Sequence, residues 1–205
     1  DDGKANALAP AMSEAIGAGL DQAAREARAV ILRGRPGVFC GGYDLRIIRG
    51  ADEALRDRMR DLGTELMLRL YLSPLPIVFA CTGHSVAAGA ILLMAGDIRI
   101  GIKGDFKLGL NETAIGLALP YVGLEFARDR LAATELQQAT VMAKLYDPDG
   151  AVAAGYLDAA LAAEEFDMAV MAAATRLAAL DPAAFAETKR RLRAPTVARI
   201  RAFGS

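Results

Sequence analysis

At 205 residues the chain is long enough for one domain or one and a half, and at 54% hydrophobic but only 6% aromatic its core must be built mainly from Ala, Leu, Val and Ile. The 24 basic residues balance 25 acidic ones, so charge gives no argument for nucleic acid or an acidic membrane as partner. A single histidine, His84, excludes the usual triads and His-rich metal sites, and Cys40 and Cys81 lack metal or redox spacing, so no metal is expected. The longest apolar stretches, such as 86–95, are too short to span a bilayer, no secretory leader is visible, and a cytoplasmic protein with reduced thiols is expected.

In chain order, Asp1-Asp-Gly-Lys-Ala-Asn-Ala7 reads as a turn entering a helix with Leu8, Met12, Ile16 and Leu20 on one face, and the strand that ought to precede it is missing. A β-branched run at Ala29 to Arg33 predicts a strand, followed by a glycine turn. A long helical stretch then runs from Asp44 to about Leu72 and is closed by Ser73-Pro-Leu-Pro76. Ile77 to Thr82 reads as a second strand leading through Gly83 into a small-residue helix that ends near Ala95. Asp97 to Ile102 is a third strand, Lys103-Gly-Asp105 a turn, Phe106 to Leu110 a short strand, and helices resume near Pro120. From Thr134 onward the periodicity is helical throughout, with a break at Asp147-Pro-Asp-Gly150 and a helix start at Asp181-Pro182. The class is therefore α/β with a repeated β-α register.

Three stretches carry chemistry: Pro36-Gly-Val-Phe-Cys-Gly-Gly-Tyr-Asp-Leu45, Cys81-Thr-Gly-His-Ser-Val-Ala-Ala-Gly-Ala90 and Gly109-Leu-Asn-Glu-Thr-Ala-Ile-Gly116. The first two each follow an apolar β-branched run and lead into a helical pattern, so they are turns whose free backbone N–H groups can point at an anion. The third supplies a carboxylate. Two N–H donors and one carboxylate are what stabilising an enolate requires.

The ordered set Lys4-Ala-Asn-Ala-Leu8, Phe39-Cys-Gly-Gly-Tyr-Asp-Leu45, Thr82-Gly-His-Ser-Val-Ala-Ala-Gly89, Asp97-Ile-Arg-Ile100 and Leu110-Asn-Glu112 resembles the crotonase (enoyl-CoA hydratase/isomerase) superfamily, from Lys4 to about Arg130. The resemblance implies a spiral of repeated ββα units over residues 1–133, a C-terminal helical trimerisation region over residues 134–205, and an acyl-CoA thioester as substrate, with CoA part of that substrate and no separate cofactor. It also implies an oxyanion hole whose backbone donors fall on Tyr43, where relatives usually carry a small residue, and on Ala88, where they usually carry Gly. Gly41, Gly42, Ala87 and Gly89 would shape the two turns, and Lys4 and Ala5 would line the CoA-nucleotide groove, with Lys4 able to meet a phosphate. Asp44, next to Leu45, reads mainly as a helix N-cap. His84 reads as a structural histidine.

Relatives that hydrate an enoyl double bond use two glutamates. Here the second is Glu112, while the first falls on Ile91, which can neither abstract nor donate a proton. One carboxylate suffices to take a proton from a carbon alpha to the thioester and return it at the vinylogous position. The pattern therefore favours double-bond isomerisation with Glu112 as the base, its pKa raised in an apolar pocket. Hydration by Glu112 alone is the alternative, and a non-catalytic acyl-CoA-binding or assembly subunit is the alternative from another class. Asp61 and Glu65 on the long helix are the reserve carboxylates. Pro120-Tyr-Val-Gly123 points to an altered pocket floor. Leu157, Leu161, Phe166, Met168, Met171 and Leu177 are more apolar surface than so short a tail can hide, so a homotrimer or dimer of trimers is expected.

Overall fold

The computed structural model describes residues 2–203, which form two parallel sheets wrapped by helices. Chain order is α1 (Pro10–Glu26), β1 (Val30–Arg33), β2 (Gly37–Cys40), α2 (Leu45–Ile48), α3 (Glu53–Tyr71), β3 (Ile77–Cys81), β4 (Gly83–Val86), α4 (Ala88–Met94), β5 (Ile98–Ile102) and β6 (Leu108–Gly109). A 3₁₀ turn (Thr113–Ile115), α5 (Tyr121–Arg130), α6 (Leu136–Thr140), α7 (Pro148–Ala154), β7 (Ala159–Leu161), α8 (Ala163–Ala178) and α9 (Pro182–Phe203) complete it.

The strands alternate between the sheets as the chain proceeds. Odd-numbered strands build one sheet in the order β1-β3-β5-β7, and even-numbered strands build the other in the order β2-β4-β6, all paired in parallel. Each turn of the chain thus lays one strand in each sheet and returns through helix, a spiral of ββα units.

Every side chain of β3 is buried, as expected for a parallel strand covered on both faces. Ile77, Phe79 and Cys81 point into the main core, with Phe39 edge-on to Phe79 at 5.5 Å between ring centroids, while Val78 and Ala80 meet Phe166 and Val170 of α8 on the other side.

Several expectations are corrected here. The glycine turn after Arg33 contains strand β2, and Gly83 to Val86 form β4 before α4 begins. The helix expected over 44–72 is two helices, because Asp44 and Asp52 each act as an N-cap, accepting from the N–H of Arg46 and Leu55. The region beyond Thr134 is not helical throughout, since β7 pairs with β5 and extends the first sheet. Of the apolar residues assigned to a subunit interface, Leu157, Phe166 and Leu177 are buried within the chain itself, and only Met168 and Met171 are exposed.

α9 is fastened by ions. Asp97, just before β5, accepts from Lys189 Nζ at 2.6 Å and from the Ile77 N–H at 2.8 Å, and pairs with Arg193 at 2.8 Å. Arg193 also reaches the carbonyl of Tyr71, and Arg130 donates to the carbonyls of Met94 and Gly96 at 3.1 and 2.9 Å. These cations satisfy the orphan acceptors at the ends of α3 and α4. Burial lowers the Lys189 ammonium to about 8, with Asp97 opposing that fall. Among the described residues, no single helix is long and apolar enough to cross a membrane.

Candidate active site

The three stretches singled out in the sequence converge at the carboxyl ends of the even-numbered strands. β2 ends at Cys40 and Tyr43 follows, β4 ends at Val86 and Ala88 follows, and β6 ends at Gly109 and Glu112 follows. Because the three strands are parallel neighbours, their ends lie side by side, the usual place for a site in such sheets.

The first two turns are pressed together. Gly42 has φ +93°, and a β-carbon there would stand 3.1 Å from Ala87 Cβ and 3.4 Å from the Ala88 nitrogen, so only glycine combines that conformation with that approach. A β-carbon on Gly89 would stand 2.8 Å from the Cys40 carbonyl carbon, which brings the first turn of α4 onto the end of β2. Gly41 donates its N–H to the Ala5 carbonyl at 2.8 Å, tying the exposed Lys4–Ala5 segment to the same turn.

Ala87 has φ +50° and ψ −129°, a costly conformation for a residue with a β-carbon. It is held by its N–H to the Gly109 carbonyl (3.0 Å) and by its carbonyl to the N–H groups of Ala90 (2.8 Å) and Ile91 (3.1 Å). The strain falls on Ala87 and not on Ala88, which enters α4 without a positive φ. Of the two candidate backbone donors, Tyr43 lines the cavity that holds Glu112, while Ala88, 2% exposed at the first position of α4, is not among the residues of its wall.

Glu112 opens the 3₁₀ turn, with its carbonyl accepting from Ile115 at 3.0 Å and Leu117 at 2.9 Å. The residue is 7% exposed, and Oε2 is buried without a hydrogen-bond partner. Burial raises its pKa from 4.5 to about 7. Glu112 and Tyr43 line one cavity of about 370 Å³, together with Ile48, Arg60 and Thr64 and the run Leu117 to Tyr121. Glu112 is the only carboxylate on its wall among the described residues.

A family model described as enoyl-CoA hydratase/isomerase matches residues 1–202. The chain belongs to the enoyl-CoA hydratase/isomerase family. Among solved structures it is similar to an enoyl-CoA isomerase of Mycobacterium tuberculosis, at 41% identity and a TM-score of 0.93, covering 98% of this chain and 88% of that one. An enoyl-CoA hydratase/isomerase family protein from Pseudomonas syringae superposes at TM-score 0.95 with 38% identity, over 98% of this chain and 87% of that one. Human mitochondrial enoyl-CoA delta isomerase 1 is 30% identical over 84% of this chain and 58% of its own length, and a probable enoyl-CoA hydratase of Rhodobacter capsulatus is 30% identical over 90% and 72%. The chain spans about half the length of the mitochondrial isomerases it matches, 46% for the rat protein.

Within this enoyl-CoA hydratase/isomerase fold the remaining candidates take structural places. Ile91 is 1% exposed and its Cδ1 and Leu119 Cδ1 both crowd Gly123 of α5, so Ile91 lies behind the cavity wall and not on it. His84 Nδ1 accepts the Lys107 N–H at 3.0 Å and its ring stands edge-on to Phe106, a structural role. Asp44 caps α2 and pairs with Arg46 at 2.6 Å, which holds its carboxyl below the usual range; Leu45 is exposed. Asp61 and Glu65 are exposed and do not line the cavity; the α3 residues that do are Arg60 and Thr64, one position earlier on the helix. Their i, i+4 spacing beside Gly63 was the available signal for a shared face.

Proposed function

We propose that the protein is an enoyl-CoA isomerase that moves a 3,4 double bond into conjugation with the thioester, using Glu112 as its single shuttling base. The observation that carries this reading is the Glu112 carboxyl, buried, unpaired at Oε2 and, among the described residues, alone among carboxylates on the cavity wall. A pKa near neutrality leaves it able both to take and to return a proton.

In the proposed reaction the thioester carbonyl accepts from the Tyr43 and Ala88 N–H groups. Glu112 removes a proton from C2, and the C–H electron pair forms the C1=C2 bond of a dienolate whose charge rests on the carbonyl oxygen. Donors held for that oxygen are worth about 2.7–4 kcal/mol each in comparable sites. The protonated Glu112 then delivers its proton to C4, the C3=C4 electrons take it up, and collapse of the enolate leaves the 2,3 double bond. Redox and proton balance close without a further cofactor, CoA being part of the substrate.

Ile91, buried behind Leu119, offers no second acid to hold and activate water, which disfavours hydration even though some relatives are named hydratases. Lys4, exposed on the segment tied to Gly41, is the proposed point charge for a CoA phosphate. Exposed Met168 and Met171 on α8, with Val141 and Met142, are the apolar surface available for the homotrimer or dimer of trimers we propose. Free, buried Cys40 and Cys81 fit a reducing cytoplasm.

The test is to supply 3-enoyl-CoA and 2-enoyl-CoA separately and follow the conjugated thioester absorbance. Absorbance gained from the first with little loss from the second supports isomerisation. Rapid loss from the second would identify a hydratase, and no change with either would identify a binding subunit.

A further inference from the structure

We propose that the Tyr43 ring selects the acyl group, admitting linear chains and excluding those branched next to the thioester; this rests on the acyl-thioester reading of the site. Tyr43 has two separable parts. Its N–H is the donor proposed for the thioester oxygen, while its side chain lines the cavity that also holds Glu112. A thioester held by that N–H, with C2 at Glu112, must run the first carbons of its chain past the ring.

The ring cannot withdraw. It lies flush on the backbone of α3 at Gly63, where a β-carbon would fall 2.6 Å from Cε1 and 2.9 Å from Cζ, and inside contact distance of the hydroxyl oxygen. The hydroxyl donates a long bond to the Arg60 carbonyl at 3.5 Å, and Leu8 pairs with Tyr43 as an isolated parallel bridge that fixes the backbone beneath. Gly63 and Tyr43 are therefore complementary: the missing side chain on α3 is the space the ring fills. With a small residue at position 43 that space would open into the cavity as far as Gly63. A methyl branch at C2 or C3 needs room beside the carbonyl, and a wall that cannot move rejects it.

Binding of saturated acyl-CoAs tests this without requiring turnover. Calorimetry with butanoyl-CoA and 2-methylbutanoyl-CoA is expected to show the wild type favouring the linear ligand by roughly tenfold or more, the discrimination that one methyl group allows in a packed pocket. Tyr43→Ala is expected to bring that ratio close to one. Tyr43→Phe, which keeps the ring, is expected to keep the ratio. Gly63→Ala is expected to push the ring into the cavity and weaken both ligands, and adding Tyr43→Ala to it is expected to restore binding, because the three atoms nearest the new β-carbon all belong to Tyr43. A wild-type ratio near one, or a ratio that Tyr43→Ala leaves unchanged while both ligands bind, overturns the selector and leaves the enzyme reading intact. Failure of every acyl-CoA to bind overturns both.

Discussion

Replacing Glu112 by Gln is expected to make the protein inactive yet more stable at alkaline pH. Burial holds the Glu112 carboxyl at about 7 in the folded chain against 4.5 for the ordinary group. A raised folded pKa means that the group's contribution to stability is complete below pH 4.5 and is lost as pH rises through 7. The displacement corresponds to about 3 kcal/mol between the acid and alkaline limits. Gln presents a similar neutral shape and never ionises, so it escapes that loss. For a chain of this size the difference amounts to about 6–12 °C in melting temperature. Scanning calorimetry of both proteins at pH 4.5, 7 and 8.5 is the assay, and the other titrating groups cancel in the comparison. The variant should melt close to wild type at pH 4.5 and clearly above it at pH 8.5. A difference that does not vary with pH, or a variant less stable at pH 8.5, would refute the claim that burial dominates the Glu112 carboxyl.

On the proposed mechanism the carboxylate form of Glu112 is the base, so kcat/KM for 3-enoyl-CoA should rise with pH to a plateau above about 7, and a flat profile from pH 5 to 9 would remove Glu112 from the role. Asp97→Asn strips the partner from Lys189 and Arg193, which are 6% and 4% exposed, and should cost about 3–5 kcal/mol in urea unfolding; a loss under 1 kcal/mol would show that the helix-end carbonyls suffice. Gly42→Ala places a β-carbon at φ +93° against Ala87, and should lower both stability, by about 1–3 kcal/mol, and acyl-CoA binding, measured by melting and calorimetry. Ile91→Glu should not install hydration, because the new carboxylate would sit behind Leu119; crotonyl-CoA turnover matching that of 3-enoyl-CoA would show otherwise.

The parts of the fold that local chemistry dictates were legible in the sequence. Ala29 to Arg33 and Ile77 to Thr82 are apolar and β-branched, and Asp97 to Ile102 alternates, so each reads as strand by itself. Gly37–Cys40 carries the strand formers Val38 and Phe39 but is only four residues long between glycines, while Gly83–Val86 and Ala159–Leu161 have little strand preference; all three are strands because distant parallel partners supply their hydrogen bonds. The break between α2 and α3 was signalled by Asp52, an N-cap followed by Glu53, but the continuous apolar spacing hid it. At the site, Tyr43, Ala88 and Glu112 came from the resemblance carried by the ordered motifs, and the turns that hold them follow the neighbouring strands β2, β4 and β6. The α3 wall was not legible in the sequence: helix phase turns by 100° per residue, and a reading one position late selects Asp61 and Glu65 where Arg60 and Thr64 face the cavity. Ile91 likewise matched a motif position by count, while packing against Gly123 decided where its side chain lies.

The central claim, that one buried carboxylate carries the proton from C2 to C4, is tested most directly with 3-enoyl-CoA deuterated at C2, converted by wild type and Glu112→Gln side by side and read by NMR. Wild type should yield the 2-enoyl product with a measurable fraction of the deuterium at C4, and Glu112→Gln should form that product roughly a hundredfold to ten-thousandfold more slowly while still binding the ligand. Product formed by Glu112→Gln at the wild-type rate would contradict the account.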